Sequence, residues 1–138
     1  MLDEERTVFT LDEARAYFVA DRFATDRLGA VIEEVGLDFA RVGFDVTPFH
    51  LNAQGGLMGG ALFTLADFTY AVASNSSGYK TVAINVDISF ISNAKGTHIV
   101  AESRADKIGR TIVFFTTTIT DDTGRLIAKA NCTGYRTV

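Results

Sequence analysis

Hydrophobic residues recur at changing intervals along the chain, and each interval predicts a type of secondary structure. Near the start, Thr10 and Glu13 form a capping-box pattern, and apolar residues then recur at helical spacing, which predicts a short N-terminal helix. Between Leu28 and Val46, apolar and polar residues alternate in part, which predicts two strands joined near Gly36.

The longest apolar run covers 17 residues from Leu57 and contains a single charge, at Asp67. Because it is apolar or small on nearly every side, it predicts a buried central helix from about Leu57 to Asn75. Two serines and Gly78 follow, and a glycine suits the left-handed position beyond a helix end.

Four later segments are rich in alternating, β-branched and aromatic residues, and each predicts a strand. They are Thr81–Ile91, Thr97–Lys107, Thr111–Thr120 and Arg125–Arg136. The apolar positions of the first segment are expected to share one face: Val82, Ile84, Val86, Ile88 and Phe90. This order of elements predicts one α+β domain over residues 1–138, with a curled antiparallel sheet of about six strands around the central helix.

The composition is that of an ordinary globular protein, with 47% hydrophobic and 22% charged residues. The net charge of -4 argues against nucleic acid as a partner, because phosphate binding favours a basic surface. The long apolar run is interrupted by Gly59, Gly60 and Asp67 and is short for a membrane span, so no membrane association is expected. The acidic first residues do not resemble a signal peptide, which predicts a cytoplasmic protein.

The cysteine and histidine positions predict neither a disulfide nor a metal site. Cys132 is the single cysteine and is expected to be a small buried side chain in the last strand. His50 and His98 lack a metal-ligand spacing; His50 is interpreted as a surface or loop histidine and His98 as a solvated position at the start of a strand. No metal site is therefore expected.

Asp67 is the first candidate for chemistry, because an acid in an apolar helix is costly unless it is needed there. It could be a nucleophile or a general base, or a structural acid bonded to nearby Thr64, Thr69 or Tyr70. The glycine pair Gly59-Gly60 at the helix start would let a ligand approach N–H groups that have no intrahelical partner. Tight packing of the helix on the sheet is the alternative explanation of this pair.

One continuous motif carries a resemblance to a known family. It begins with Asn52-Ala53-Gln54-Gly55-Gly56-Leu57-Met58-Gly59-Gly60, continues with Ala61-Leu62-Phe63-Thr64-Leu65-Ala66-Asp67, and is supported by the strand sequence of residues 86–96. These segments resemble the hotdog-fold thioesterases, specifically the PaaI-type acyl-CoA thioesterases. The resemblance covers nearly all of the chain after the first helix and implies hydrolysis of a coenzyme A thioester with an aryl or a short or medium acyl group.

The resemblance also implies roles for individual residues. The N–H of Gly59 and the side-chain amide of Asn52 would polarise the thioester carbonyl, and Asp67 would activate water or attack directly. Five further residues would contact the substrate: Gly56, Met58, Gly60, Thr81 and Ala83. The resemblance implies that no organic cofactor is needed either.

The spacing of two of these residues bears on oligomeric state. Asp67 lies eight residues after Gly59, which is roughly 12 Å along a helix and too far for both to reach one carbonyl. In the hotdog family the acid comes from a second subunit. A homodimer, or a tetramer built from dimers, with acyl-CoA bound at the subunit interface is therefore expected.

Two positions depart from the family pattern. Met58 stands where the family usually has His, and Ala83 stands where some relatives have Ser or Thr. Met58 either replaces a histidine whose role was positional or marks a protein that binds acyl-CoA without hydrolysing it well. A non-catalytic acyl-CoA or fatty-acyl binding protein is thus the alternative function. A hotdog hydratase or dehydratase ranks last, because those reactions pair the acid with a histidine.

Overall fold

The computed structural model describes residues 8–137 of the chain. Its two α-helices are α1 (Leu11–Phe18) and α2 (Gly59–Asn75). Its strands are β1 (Val31–Gly36), β2 (Phe39–Asp45), β3 (Thr81–Phe90), β4 (His98–Ile108), β5 (Ile112–Asp121) and β6 (Leu126–Arg136). A π-helical turn, Phe23–Leu28, precedes β1, and a 3-10 turn, Pro48–His50, follows β2. The predicted order of elements is confirmed, and the ends of the last four strands lie within one residue of the predicted ones, whereas β1 begins three residues after Leu28.

The six strands form one antiparallel sheet in the order β1-β2-β4-β5-β6-β3. This sheet curls around α2, which contacts every strand. The predicted two-layer α+β architecture is therefore confirmed. Strands β1 and β3 form the two edges of the sheet, so one side of each has no strand partner in the described part of the chain.

Helix α2 is buried on most of its circumference but not on all of it. Leu65, Ala66 and Val72 are fully enclosed by the sheet, whereas Phe63 and Asp67 are exposed, one helical turn apart. The prediction of a buried central helix is confirmed for most of its residues, but one chain leaves this face uncovered. This face is exposed because the sheet of one chain does not reach around the whole helix, although the sequence on this face is also mostly apolar or small.

The end of α2 is tied directly to the start of β3. The side-chain oxygen of Asn75 accepts a hydrogen bond from the N–H of Thr81 at 2.8 Å, and its amide donates to the carbonyl of Ala71 at 2.9 Å. Gly78 adopts a left-handed φ of 93°, as the sequence predicts for a residue beyond the helix end. The connection fixes where β3 begins relative to the helix.

Strand β3 does not carry its apolar residues on one face, and this prediction is wrong. A β-bulge between Ala83 and Asn85 shifts the register against β6 by one residue. Val86 beyond the bulge packs against the core, whereas Val82 and Ile84 before it are 51% and 57% exposed. Half of the strand thus presents apolar side chains to the outside, along an open sheet edge.

A close contact inside the core explains a glycine in β6. A methyl group on Gly134 would lie 1.8 Å from the Tyr70 hydroxyl, 2.8 Å from Thr81 Cγ2 and 3.0 Å from Val113 Cγ2. Tyr70 is fully buried on α2, so its ring has little room to move. Because Gly134 has no side chain, Tyr70 of α2 can pack directly against β6.

A charged cluster joins β1, β2 and β4, which are neighbours in the sheet. His98, at the start of β4, lies 2.8 Å from an Asp45 carboxylate oxygen through Nδ1 and 2.7 Å from a Glu33 carboxylate oxygen through Nε2. Hydrogen bonds to Asp45 and then to Glu33 raise the pKa of His98 above its ordinary value of 6.5. His98 begins a strand, as predicted, and its side chain is 35% exposed, but the interpretation as a solvated position missed these two carboxylate partners, which lie 53 and 65 residues away in sequence.

Replacing Gly134 by alanine is expected to lower the free energy of unfolding by about 1–3 kcal/mol, because the new methyl group overpacks a fixed core. Chemical denaturation of the Gly134→Ala protein measures this. Gly36→Ala is the matched control, since its methyl group would have an ordinary contact at 3.8 Å from Phe39. The cost of Gly134→Ala should shrink in a Tyr70→Phe background; an equal cost in both backgrounds would contradict the contact described.

The His98 cluster predicts a pH dependence of stability. A histidine whose pKa is raised by folding adds stability that is fully present below its unfolded pKa and is lost as pH rises through the folded pKa. Between pH 6 and pH 9, the free energy of unfolding in urea should fall more for the wild type than for His98→Gln. The difference should be about 1 kcal/mol or less, since the partners of His98 are partly exposed. Parallel pH profiles for the two proteins would refute this origin.

Candidate active site

The loop before α2 is shaped by the side chain of Asn52. Its oxygen accepts hydrogen bonds from the N–H groups of Gln54 at 2.9 Å and Gly56 at 3.1 Å, and Leu51 pairs with Leu57 across the loop. With the oxygen occupied, the amide nitrogen of Asn52 is left as a donor, and it finds no acceptor within residues 8–137. The predicted residues Asn52 and Gly56 are therefore neighbours in one turn.

His50 anchors the same loop from inside the protein. Its Nδ1 accepts the N–H of Thr47 at 3.0 Å, so the proton is on Nε2, which donates to the carbonyl of Leu28 at 2.8 Å. The residue is only 6% exposed, and its own carbonyl accepts the N–H of Met58 at 2.8 Å. The interpretation of His50 as a surface or loop histidine is wrong: it is a buried link between the turn, the start of α2 and the segment before β1.

The first residues of α2 present free hydrogen-bond donors. Met58 precedes the helix without a side-chain cap, and the N–H groups of Gly59 and Gly60 have no acceptor in the described chain. These donors lie at the positive end of the helix dipole, where developing negative charge is stabilised. The arrangement can bind and polarise a carbonyl oxygen.

Two cavities flank this helix start. The first, about 410 Å³, is lined by Gly59, Phe90 and the polar residues Ser92 and Asn93. The second, about 420 Å³, is bounded mainly by large apolar side chains. Its lining comprises Phe23, Arg27, Leu28, Phe49, His50, Met58, Gly60, Ala61 and Thr64. Met58 and Gly60, which the sequence predicts as substrate contacts, thus line the second cavity, and Gly59 lines the first.

Asp67 lies on the exposed face of α2 and lines a third cavity, of about 320 Å³, together with Asp21, Phe23 and Thr64. Although it remains accessible, the protein around its carboxylate removes enough water to raise the pKa of Asp67, and the negative charge of Asp21 acts in the same direction. A carboxylate with a raised pKa is a better proton acceptor than an ordinary surface acid. Sequence reasoning did not identify Asp21, which carries no pattern linking it to Asp67.

One chain does not bring all the predicted residues together. Asn52, Gly56, Met58, Gly59 and Gly60 meet at the start of α2, while Asp67 is about 12 Å further along the helix and lines a different cavity. Thr81 is buried beside the opposite end of α2, where Asn75 binds its N–H, and Ala83 is exposed on β3. The roles predicted for these residues stay predictions.

The described residues offer no other obvious centre for chemistry. No three His, Cys, Asp or Glu side chains within residues 8–137 are grouped as metal ligands. No helix within the same residues is both long and apolar enough to span a membrane. Cys132 is buried, as predicted, and burial raises its pKa to about 11.

Comparison with known proteins identifies the family. Residues 54–128, more than half of the chain, match the model of the thioesterase superfamily. A protein of Archaeoglobus fulgidus named "Putative esterase" is 32% identical over 127 residues, which cover 91% of this chain and 82% of that protein.

Solved structures agree with this assignment. The E. coli PaaI protein from the phenylacetic acid degradation operon superposes with a TM-score of 0.82 at 25% identity, covering 90% of this chain and 91% of that one. A Streptococcus pneumoniae protein described as a hypothetical thioesterase, solved with coenzyme A, gives a TM-score of 0.81 at 26% identity, covering 88% of this chain and 95% of that one. The chain therefore has the hotdog fold and belongs to the thioesterase superfamily.

Proposed function

We propose that the protein hydrolyses acyl-CoA thioesters at the start of α2. The observation that carries this proposal is the pair of unpaired N–H groups of Gly59 and Gly60 beside the free side-chain amide of Asn52. Donors without an acceptor at the positive end of a helix are what a carbonyl oxygen needs as it gains negative charge. The similarity to a hypothetical thioesterase solved with coenzyme A supports CoA thioesters as the substrate class.

Hydrolysis also requires an attacking group. Asp67 fills this role, either by taking a proton from the water that attacks the thioester carbon or by attacking that carbon itself. In the first route the C–S bond breaks as the proton that Asp67 took from water passes to the leaving thiolate of coenzyme A. In the second route the thiolate leaves as Asp67 forms a mixed anhydride with the acyl group; water then hydrolyses this anhydride, which frees the acid and Asp67 and supplies the proton of the thiol. Because Asp67 and Gly59 of one chain lie about 12 Å apart along α2, Asp67 serves a carbonyl bound to a second chain.

The surface that joins two chains is the uncovered face of α2 together with the open edge of β3. This surface carries Phe63 and Asp67 on the helix and Val82 and Ile84 on the strand, all exposed in one chain. A ten-residue edge strand is a template for pairing with another strand. A second copy would cover these side chains and bring its own Asp67 to the helix start, which gives the homodimer its catalytic role.

A second function is favoured by one specific observation. Met58 cannot donate or accept the hydrogen bonds of the histidine usual at this position, and Ala83 lacks a hydroxyl. A protein that binds acyl-CoA without turning it over would fit these two residues. Thiol release from acyl-CoA separates the two functions directly, because the binding protein would hold the thioester intact.

Asp67→Asn is expected to lower kcat by at least about 100-fold, because the amide can neither accept the proton nor attack. Thiol release from hexanoyl-CoA measures the rate, and Asp12→Asn, an exposed acid on α1, is the matched control. Activity should require ionised Asp67 and fall as pH drops through its raised pKa. Wild-type rates in a folded Asp67→Asn dimer would refute the proposed role.

Mixing two inactive variants tests whether the site spans two chains. Asn52→Asp keeps the side-chain oxygen that holds the loop but removes the amide donor, and Asp67→Asn removes the base. After subunit exchange, a mixed dimer has one intact site, so equal amounts should recover about a quarter of wild-type activity. If the mixture remains as inactive as its components although exchange has occurred, the site lies within one chain.

A further inference from the structure

We propose that the apolar cavity between the π-helical turn and the start of α2 holds the acyl group of the substrate, and that Phe23 limits the size of this group. The cavity is the one bounded by Phe23, Phe49 and Met58. This inference rests on the proposed function, since it takes the thioester carbonyl to bind at Gly59.

The position of the cavity fits an acyl group. Gly60 and Met58 line it, so it opens directly beside the N–H groups of the helix start. A methyl group on Gly60 would have no neighbour within 4 Å, which leaves free space on this side of the helix. On the other side, a methyl group on Gly59 would lie 3.1 Å from the ring of Phe90, so that side is narrower.

The chemistry of the lining points the same way. Phe49 is 96% exposed, Phe23 69% and Met58 52%, and all three surround the same cavity. Several large apolar side chains exposed around one opening mark a binding site for an apolar group. Met58 belongs to this wall, so the departure from the family histidine makes the cavity less polar.

The walls of the cavity are held in place before any ligand binds. The Nε2 of buried His50 donates to the carbonyl of Leu28, which ties the 3-10 turn carrying Phe49 to the end of the π-helical turn that begins at Phe23. His50 also accepts the N–H of Met58 through its carbonyl. One buried residue thus links the backbone segments that carry the three wall residues, and a backbone that is already ordered loses less entropy on binding.

The first cavity, lined by Gly59, Phe90, Ser92 and Asn93, explains where the rest of the thioester goes. The hydroxyl of Ser92 already donates to the carbonyl of Leu126, but the exposed side chain of Asn93 offers both a donor and an acceptor, which suit the amides of the pantetheine arm. Asp121 anchors the loop that follows these residues by accepting the N–H groups of Lys95 and Gly96 at 2.7 and 2.8 Å. A carbonyl bound at Gly59 would then have an apolar space on one side and a polar space on the other.

Phe23 sets the length limit because it stands between two cavities. Together with Thr64 it lines both the apolar cavity and the cavity of Asp67, which also contains Asp21 and Arg22. On its other side, the apolar cavity adjoins a cavity of about 650 Å³ that shares Phe49 and His50 with it and is also lined by Asp26 and Asp45. A chain that passed either Phe23 or Phe49 would bury charged groups, which is unfavourable. The acyl groups that fit are therefore aromatic or medium-length rather than long.

The test compares kcat/KM of acetyl-, hexanoyl-, benzoyl- and palmitoyl-CoA. The wild type should prefer the hexanoyl and benzoyl thioesters. Phe49→Ala should lower kcat/KM for these two by about tenfold more than for acetyl-CoA, since the larger groups make most of the lost contacts. Phe23→Ala should raise the palmitoyl-to-hexanoyl ratio by about tenfold, with Phe23→Leu as a milder variant should the alanine protein fold poorly.

Leu37→Ala is the control, because Leu37 is 59% exposed and lines none of these four cavities. If thioesters are hydrolysed but Phe23→Ala and Phe49→Ala leave the chain-length preference unchanged, this inference is overturned and the proposed function stands. If no thioester is hydrolysed, the proposed function fails and calorimetric binding of hexanoyl-CoA decides the inference. Weaker binding to Phe49→Ala than to Leu37→Ala would support the cavity, and equal binding or none would overturn it.

Discussion

An α-helix cannot satisfy its own first N–H groups, and this constraint organises the functional end of the molecule. A side-chain oxygen of the residue before the helix can accept such N–H groups. Met58 has no such oxygen, and the N–H groups of Gly59 and Gly60 have no acceptor within residues 8–137. Leaving such groups unpaired costs stability unless water or a ligand completes them. The rest of the structure holds the helix so that these donors stay accessible.

Two features keep α2 in that position. At its far end, Asn75 joins the helix to Thr81, and the absent side chain of Gly134 lets Tyr70 settle against the sheet. At its near end, His50 fixes the preceding loop through backbone partners on both sides. The helix is thus clamped at both ends by single side chains, while the curled sheet supplies the apolar contacts between them.

The sequence predicted most of the fold because periodicity reports which face of an element is buried. It could not predict the bulge in β3, since one inserted residue changes the register without disturbing the visible alternation of apolar residues. His50 was missed for another reason: both of its ring partners are backbone groups, which any residue can supply. The partners of His98 are side chains, but Glu33 and Asp45 are brought to it only by strand pairing.

The sequence predicted individual residues of the candidate site but not the cavities that they form together. The motif from Asn52 to Asp67 identified the residues at the helix start, but the cavities depend on Phe23 and Phe49, which lie outside the motif. Their exposure has a physical consequence. Unpaired donors and exposed aromatic rings lie side by side at one end of α2, and a ligand with a carbonyl and an apolar group would satisfy both at once. Such a ligand binds the folded state and not the unfolded state, so its binding must also stabilise the fold.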